Sequence, residues 1–166
     1  MPTLVATVGG ATSNAYALVA TATTYFDERI GSTAWTNASA DDQARALIMA
    51  TRRLDQERYE GTKDDEDQAL AWPRDGAFDP DGVEYDDATI PTVVIEAMYE
   101  EALAYLIVAE AGDNPIGVSG LEPFKSGKVG PLEFEKDTTY VAGQLSPQAR
   151  RLLAPVIVSS NEVVRT

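Results

Sequence analysis

The spacing of apolar residues predicts a mostly α-helical fold, a small bundle with three core helices. The first helix is predicted over about 19–31, where apolar residues recur at helical spacing and a glycine follows: Val19, Ala22, Phe26, Ile30 and Gly31. The second is predicted over about 39–59, starting with the Ser39-x-x-Asp42 capping pattern. One face of this second helix is apolar and requires a partner helix: Ala44, Leu47, Ile48, Thr51 and Leu54.

The third core helix is predicted over about 91–111, between Pro91 and Gly112. Its second half is apolar on every side, which predicts that it is the central and most buried helix. Its first half is amphipathic, and we expect three acidic residues to point outward: Glu96, Glu100 and Glu101.

The remaining segments are predicted to be short or extended. Residues 1–14 read as an N-terminal extended arm, and residues 15–112 as the helical core domain, with an acidic loop at 60–87. Residues 113–145 lack a helical period and are expected to form an extended or β segment, a small β excursion in which Leu132–Glu135 alternate as a strand does. Residues 146–166 should form a short helix, capped by Ser146, and a projecting β-prone tail. The alternative for the last ten residues is a disordered tail.

Composition restricts the function classes. The chain has 166 residues, of which 44% are hydrophobic, as expected for one globular domain with a core. No apolar run approaches the roughly 18 residues that a membrane span requires, so we expect no membrane contact. Cysteine and histidine are absent. Their absence excludes disulfides, thiolate metal sites and histidine-based catalysis, so we expect no enzyme activity, no metal and no cofactor.

Charge is concentrated in one part of the chain. The net charge is −14, and residues 60–87 hold eleven acidic against two basic residues, a net −9. Asp79–Gly82 have type I turn preferences, which predicts a small hairpin. A calcium loop at this turn or a metal cluster at Asp64–Asp67 is disfavoured, because the ligand spacing and convergence are missing. The excess charge serves solubility or prevents DNA binding, and charge alone does not decide between the two.

Within the acidic loop, one short stretch is predicted to be a structural anchor. Leu70, Trp72 and Pro73 should hold the loop against the helices, and the Arg74 side chain should point outward from the surface. Burial is favoured over base stacking for Trp72 and for Trp35. In so acidic a protein, arginines indicate interface ion pairs, which makes three of them subunit-interface candidates: Arg52, Arg53 and Arg74.

The order of three patterns resembles a known family. Tyr25-Phe26, the run from Ala50 to Asp55 and the stretch from Gln68 to Arg74 together resemble the small head–tail adaptor (connector, head-completion) proteins of tailed bacteriophages. Some members of this group carry the description DnaT-like single-stranded-DNA-binding protein instead. The resemblance runs from about Tyr16 to Leu153 and rests on patterns, not on a catalytic signature.

The resemblance implies a structural virion neck component, assembled in the host cytoplasm. Such subunits form a ring, usually twelvefold, with the portal protein above and a stopper or tail-completion (terminator) protein below. Viral DNA passes through the lumen without specific binding. The C-terminal segment is the candidate portal-docking element, through Arg150, Arg151, Leu152, Leu153, Val156, Ile157 and Val158. The alternative functions are a single-stranded-DNA-binding replication accessory and, less favoured, a carboxylate-metal nuclease.

Overall fold

The computed structural model describes residues 2–111 and 144–158, together with the backbone of 126–129 and 132–135. Within these residues the chain is mostly helical, as predicted. The helices are α1 (Val19–Asp27), α2 (Thr33–Asn37), α3 (Ala40–Leu54), α4 (Thr92–Glu110) and α5 (Pro147–Leu153). The strands are β1 (Thr62–Lys63), β2 (Arg74–Asp75), β3 (Ser126–Val129) and β4 (Leu132–Glu135).

The core lies where α4 packs against α3 on one side and α5 on another. Thr51 of α3 contacts Met98 of α4, and Asn37, just before α3, donates a hydrogen bond to Glu110 at the end of α4. These two contacts show that α3 and α4 run antiparallel. The predicted apolar face of α3 is buried here in full, with Leu47 and Leu54 completely enclosed.

Two helix starts follow the predicted capping chemistry. The Ser39 hydroxyl accepts a hydrogen bond from the backbone N–H of Asp42, and the Ser146 hydroxyl accepts one from that of Ala149. Each bond satisfies one of the N–H groups that a helix start leaves without a partner. Pro91 is the N-cap of α4 and not part of its first turn, which moves the predicted start by one residue.

The first predicted helix is too long. α1 ends at Asp27, and Ile30, assigned to its apolar stripe, is 99% exposed. The chain turns at Gly31, whose φ of 86° suits glycine, and then forms α2, which was not predicted. Five residues are too few to show a helical period, although α2 buries Trp35 in the core.

The expectation that Glu100 and Glu101 point outward is wrong. Glu100 is 4% exposed and Glu101 is fully buried. The amphipathic pattern predicts only which face is more apolar, whereas α4 is enclosed on several sides, so acidic residues of this turn enter the interior and need partners there.

Residues 60–87 form two small hairpins. β1 pairs with β2 in antiparallel register, Thr62 opposite Asp75. The second hairpin closes at the predicted turn, where the Gly82 N–H donates to the Asp79 carbonyl. A Cβ on Gly61 would lie 2.1 Å from the Asp75 carbonyl oxygen, so only glycine fits at the base of the first hairpin.

The N-terminal residues fold back and do not extend as an arm. The Val5 N–H donates to the Asn14 side chain, and the Asn14 N–H donates to the Val5 carbonyl. The tip of this loop also joins the acidic region, because the Ala69 N–H donates to the Gly10 carbonyl. The Asn14 side chain closes the loop because its oxygen accepts the Val5 N–H bond that a backbone carbonyl would otherwise accept. The composition of this segment did not indicate such a closed loop.

The β excursion occurs where it was predicted. β3 and β4 pair as an antiparallel hairpin with Ser126 opposite Glu135. The other residues between 112 and 143, and the tail from 159 onward, lie outside the described residues.

The prediction of a projecting tail is wrong for residues 156–158. Val156 is 2% exposed, Ile157 forms an antiparallel bridge with Tyr59, and the Val158 N–H donates to the Arg58 carbonyl. The β-prone residues find a strand partner in the segment after α3, a long-range pairing that a local pattern does not reveal.

Replacing Trp72 by alanine should destabilise the fold by about 3–5 kcal/mol, because the indole is 1% exposed and its removal leaves a large cavity. Urea unfolding of the variant and the parent protein measures the difference. Phe78→Ala is the matched control: this ring is 43% exposed on the next hairpin and should change stability little. An unchanged unfolding midpoint for Trp72→Ala would show that the indole does not anchor the loop.

Candidate functional site

The described residues offer no enclosed site for a small ligand. A crevice between the N-terminal loop and the acidic region, beside Gly10, Gln68 and Trp72, has no room for a water molecule. Among the described residues, no group of three acidic side chains lies close enough together to hold a metal ion. No described helix is long and apolar enough to cross a membrane. The candidate functional features are therefore surfaces.

Arg74 holds the base of the acidic region. Its guanidinium donates to the carbonyl oxygens of Glu60 at 2.6 Å, Gly61 at 2.5 Å and Ala71 at 3.1 Å. It also lies 5.9 Å from the centre of the Tyr59 ring, within cation–π range. The prediction that the Arg74 side chain points outward from the surface is wrong. Its donors are bonded to three carbonyl groups of its own chain.

Gln68 organises the loop between β1 and β2. Its buried side-chain amide donates to the carbonyl oxygens of Leu70 at 2.8 Å and Pro73 at 3.0 Å, and its oxygen accepts from the Asp65 N–H. These side-chain bonds connect the two sides of the loop, where the backbone forms no strand pairing. As a result the carboxylates of Asp64–Asp67 stay on the surface.

Trp72 is the centre of an aromatic cluster below this loop. Its ring lies 5.5 Å from that of Tyr59 and 6.0 Å from that of Tyr85, both in edge-to-face geometry. The Trp72–Pro73 peptide bond is cis, Pro73 is enclosed and Leu70 is half-buried against the core. This is the placement that the anchor hypothesis requires of these three residues.

A buried acid–phenol pair connects this cluster to the helices. The Tyr16 hydroxyl donates to one carboxylate oxygen of Asp55, and the Ala71 N–H donates to the other at 3.3 Å. Burial raises the pKa of Asp55, and the Tyr16 hydrogen bond opposes this shift. Burial and then the nearby Asp55 charge raise the pKa of Tyr16 well above its usual value. The pair ties the chain before α1 to the end of α3.

The three interface candidates have different surroundings. Arg53 is mostly buried and pairs with Glu57 at 2.9 Å. Arg74 is engaged by carbonyl groups, as described above. Of the three, only Arg52, on α3, is exposed. An intersubunit role for Arg53 or Arg74 would first have to replace contacts made within the subunit.

The seven portal-docking candidates also differ in their exposure. Arg150 and Arg151 are exposed on α5, and Leu152 is half-buried. Leu153 is completely buried and Val156 nearly so, both in the subunit's own core. Ile157 and Val158 are half-buried and paired with residues 58–59. The apolar part of the predicted docking element is thus occupied within the subunit, and the two arginines remain available.

Sequence reasoning missed the partners of the two buried glutamates. Glu100 accepts from the Tyr25 hydroxyl at 2.7 Å and pairs with Arg29 at 2.9 Å, which joins α4 to α1. Glu101 accepts from the Ser146 backbone N–H at 2.7 Å, which joins α4 to the start of α5. One signal was present. Glu100 and Glu101 directly precede the half of α4 that is apolar on every side, which indicates burial, and a buried carboxylate needs a hydrogen-bond partner.

The described surface is a poor match to a nucleic-acid groove. Trp35 and Trp72 are both 1% exposed, and Phe78, beside Asp79, is the most exposed of the described rings. Among the described cations, Arg29, Arg45 and Arg53 are in ion pairs with acids. Base stacking needs exposed rings and phosphate neutralisation needs unpaired cations, whereas both tryptophans are buried here and these three arginines are paired with acids.

Replacing Tyr16 by phenylalanine should destabilise the protein by roughly 1.5–3 kcal/mol at neutral pH, since the lost bond is to a charged acceptor. It should also raise the pKa of Asp55 further, because the Tyr16 hydroxyl stabilises the carboxylate. A raised pKa means that the folded state binds more protons. The variant's deficit should therefore be smallest below the ordinary aspartate pKa and grow as pH rises through the raised value.

Carboxyl NMR titration and urea unfolding at several pH values test this expectation. Tyr99→Phe is the control, because its hydroxyl donates to the neutral Thr21 and its deficit should not follow the Asp55 titration. A deficit for Tyr16→Phe that is equal at all pH values would contradict the assigned hydrogen bond.

Comparison with known proteins gives one match. The model of a family described as "Putative DnaT-like ssDNA binding protein" matches residues 1–166. Neither the curated proteins nor the solved structures contain a match to the chain. The chain belongs to this DnaT-like family.

Proposed function

We propose that the protein is a non-catalytic assembly subunit, a head–tail adaptor of a tailed bacteriophage. In this role copies form a ring, about twelvefold, below the portal, and the ring extends the DNA channel. Its lower face receives a stopper or tail-completion protein, and viral DNA passes without being held. The protein would act in the virion neck after assembly in the host cytoplasm. The resemblance in Tyr25-Phe26, Ala50–Asp55 and Gln68–Arg74 is the basis for this specific role.

The observation that carries the proposal is the distribution of charge. Residues 60–87 hold a net −9, and their two cations, Lys63 and Arg74, donate hydrogen bonds to backbone carbonyls. A surface of this kind repels phosphate. That property suits a channel component that must let DNA move.

The exposed arginines of α5 support contact with an acidic partner. Arg150 donates to Gln144, a neutral side chain, and both Arg150 and Arg151 are exposed. Arginine is the residue best suited to bidentate pairing with carboxylates at an interface. In the proposed role the partner is an acidic surface of the portal.

The second candidate is single-stranded-DNA binding, which the family description favours. That function requires a groove with cations that follow the backbone and exposed rings that stack on bases. Cations available for it in the described part are Arg52, Arg58, Arg150 and Arg151, each exposed. The two candidates differ in a quantity that is easily measured.

The purified protein should show no measurable affinity for single-stranded oligonucleotides at physiological salt, because nonspecific affinity depends on phosphate neutralisation. Fluorescence anisotropy with a labelled oligonucleotide measures this, and a titration at low salt reveals any weak electrostatic contact. Micromolar or tighter binding at physiological salt would favour the replication accessory over the adaptor.

The double substitution Arg150→Gln, Arg151→Gln should weaken portal binding at least tenfold, about 1.4 kcal/mol, and leave the fold intact. Both side chains are exposed, so circular dichroism should show an unchanged unfolding transition. Arg45→Gln is the matched control, an exposed arginine on α3 that is not among the interface candidates. Native mass measurement of the protein with and without portal reports ring formation and docking. Unchanged portal affinity in the double variant would remove α5 from the docking surface.

A further inference from the structure

The hairpin of residues 77–87, here called the exposed hairpin, leaves two large apolar side chains uncovered. Phe78 is 43% exposed and Val83 is 62% exposed. The other exposed large apolar residues of the described part lie on four separate segments: Val8, Leu18, Ile30 and Ile107. Single exposed apolar residues are ordinary, whereas two on one short hairpin indicate an interaction surface.

The exposed hairpin is held by hydrogen bonds of its own. The Asp79 N–H donates to the Val83 carbonyl at 2.8 Å. At the turn, the Asp79 carboxylate accepts from the N–H groups of Asp81 at 2.9 Å and Val83 at 2.8 Å. The base is fixed to the subunit, because the Tyr85 N–H donates to the carbonyl of the buried Ala77 and the Tyr85 ring joins the aromatic cluster. A surface that is ordered before binding loses less conformational entropy when a partner binds.

The charge around these apolar side chains is negative. Residues 77–87 contain five acidic and no basic residues, hence a net −5: Asp79, Asp81, Glu84, Asp86 and Asp87. The described arginines that form ion pairs do so with acids of α3 and α4 and with residue 57, so no described cation pairs with these five carboxylates. The hairpin therefore attracts a cationic protein surface and repels the phosphates of nucleic acids and of anionic lipids. A second copy of the chain, with a net −14, is a less suitable occupant.

We propose that the exposed hairpin is a docking surface for a protein partner that presents an apolar pocket surrounded by lysine or arginine. Phe78 is the anchor that enters the pocket, Val83 adds apolar contact, and the carboxylates of the hairpin pair with the surrounding cations. The contact is separate from that of the α5 arginines, whose opposite charge suits an acidic partner. It does not depend on the adaptor role of the proposed function.

A basic amphipathic peptide of lysine and leucine is the probe for this chemistry. It is titrated at physiological salt into the isotope-labelled full chain, and the backbone amide NMR signals report where it binds. The chain supplies a matched acidic control, because residues 64–67 are all acidic and exposed and no exposed large apolar residue lies between 60 and 70. We expect saturable shifts at residues 77–87, with an affinity at least tenfold higher than at residues 64–67.

Two altered peptides separate the apolar from the charged contribution. Replacing leucine by serine removes the group that fills a pocket, and replacing lysine by glutamate reverses the charge, so neither peptide should bind the hairpin. Equal affinity of the lysine–leucine peptide for both acidic segments would show that charge alone attracts it, and the proposal would then be wrong.

Phe78→Ser and Val83→Ser test the hairpin's own apolar groups. Phe78→Ser should weaken peptide binding at least tenfold and Val83→Ser by a smaller factor. Circular dichroism should show unchanged melting, because both side chains are exposed. Ile107→Ser is the matched control: this residue of α4 is 51% exposed outside the acidic region, and its loss should leave the affinity unchanged.

Two results with these variants would overturn the proposal. Unchanged peptide affinity in both Phe78→Ser and Val83→Ser would show that the exposed apolar groups do not contribute to docking. If sedimentation shows that the parent protein self-associates and Phe78→Ser does not, the occupant of the hairpin is a second copy and not a basic partner.

Discussion

The burial of Trp72 holds together the part of the chain that repels itself most strongly. Residues 60–87 have a net charge of −9, and little in their local sequence favours a compact structure. The indole is packed edge-to-face between Tyr59 and Tyr85, so the hairpins are held by apolar burial at their centre. The N-terminal loop is bonded to Ala69, three residues before Trp72, and Ile157 near the C-terminus pairs with Tyr59 of the cluster. Loss of this one packing contact would loosen three segments that are distant in sequence.

Burial of rings and pairing of cations also bear on function. Some of the groups that a single-stranded-DNA-binding protein would display are engaged within this fold, with Trp35 buried in the core and Arg29 paired with Glu100. Membership in the DnaT-like family shows common ancestry of the chain. It does not by itself show that the binding activity in the family's description operates here, because activity depends on what the surface displays.

The sequence was sufficient for the helices whose evidence is local. The stripe of α3, its Ser39 cap and the Ser146 cap each depend on residues within four positions of one another. Predictions failed where the deciding partner is far along the chain. Glu100 depends on α1, Glu101 depends on α5, and residues 157–158 depend on the segment after α3. Periodicity identifies the face of a helix, but it cannot show which distant group will satisfy a buried charge.

The contacts of Arg74 have a consequence for behaviour in salt. Its guanidinium donates to the carbonyl oxygens of residues 60, 61 and 71. The acidic region is therefore held by hydrogen bonds from Arg74 to uncharged carbonyl groups and by apolar packing, and not by exposed ion pairs. Added salt screens the repulsion between the surrounding carboxylates and weakens little that holds them. This part of the protein should become firmer as ionic strength rises, the reverse of a surface that depends on salt bridges. A protein with this arrangement tolerates a high counter-ion concentration.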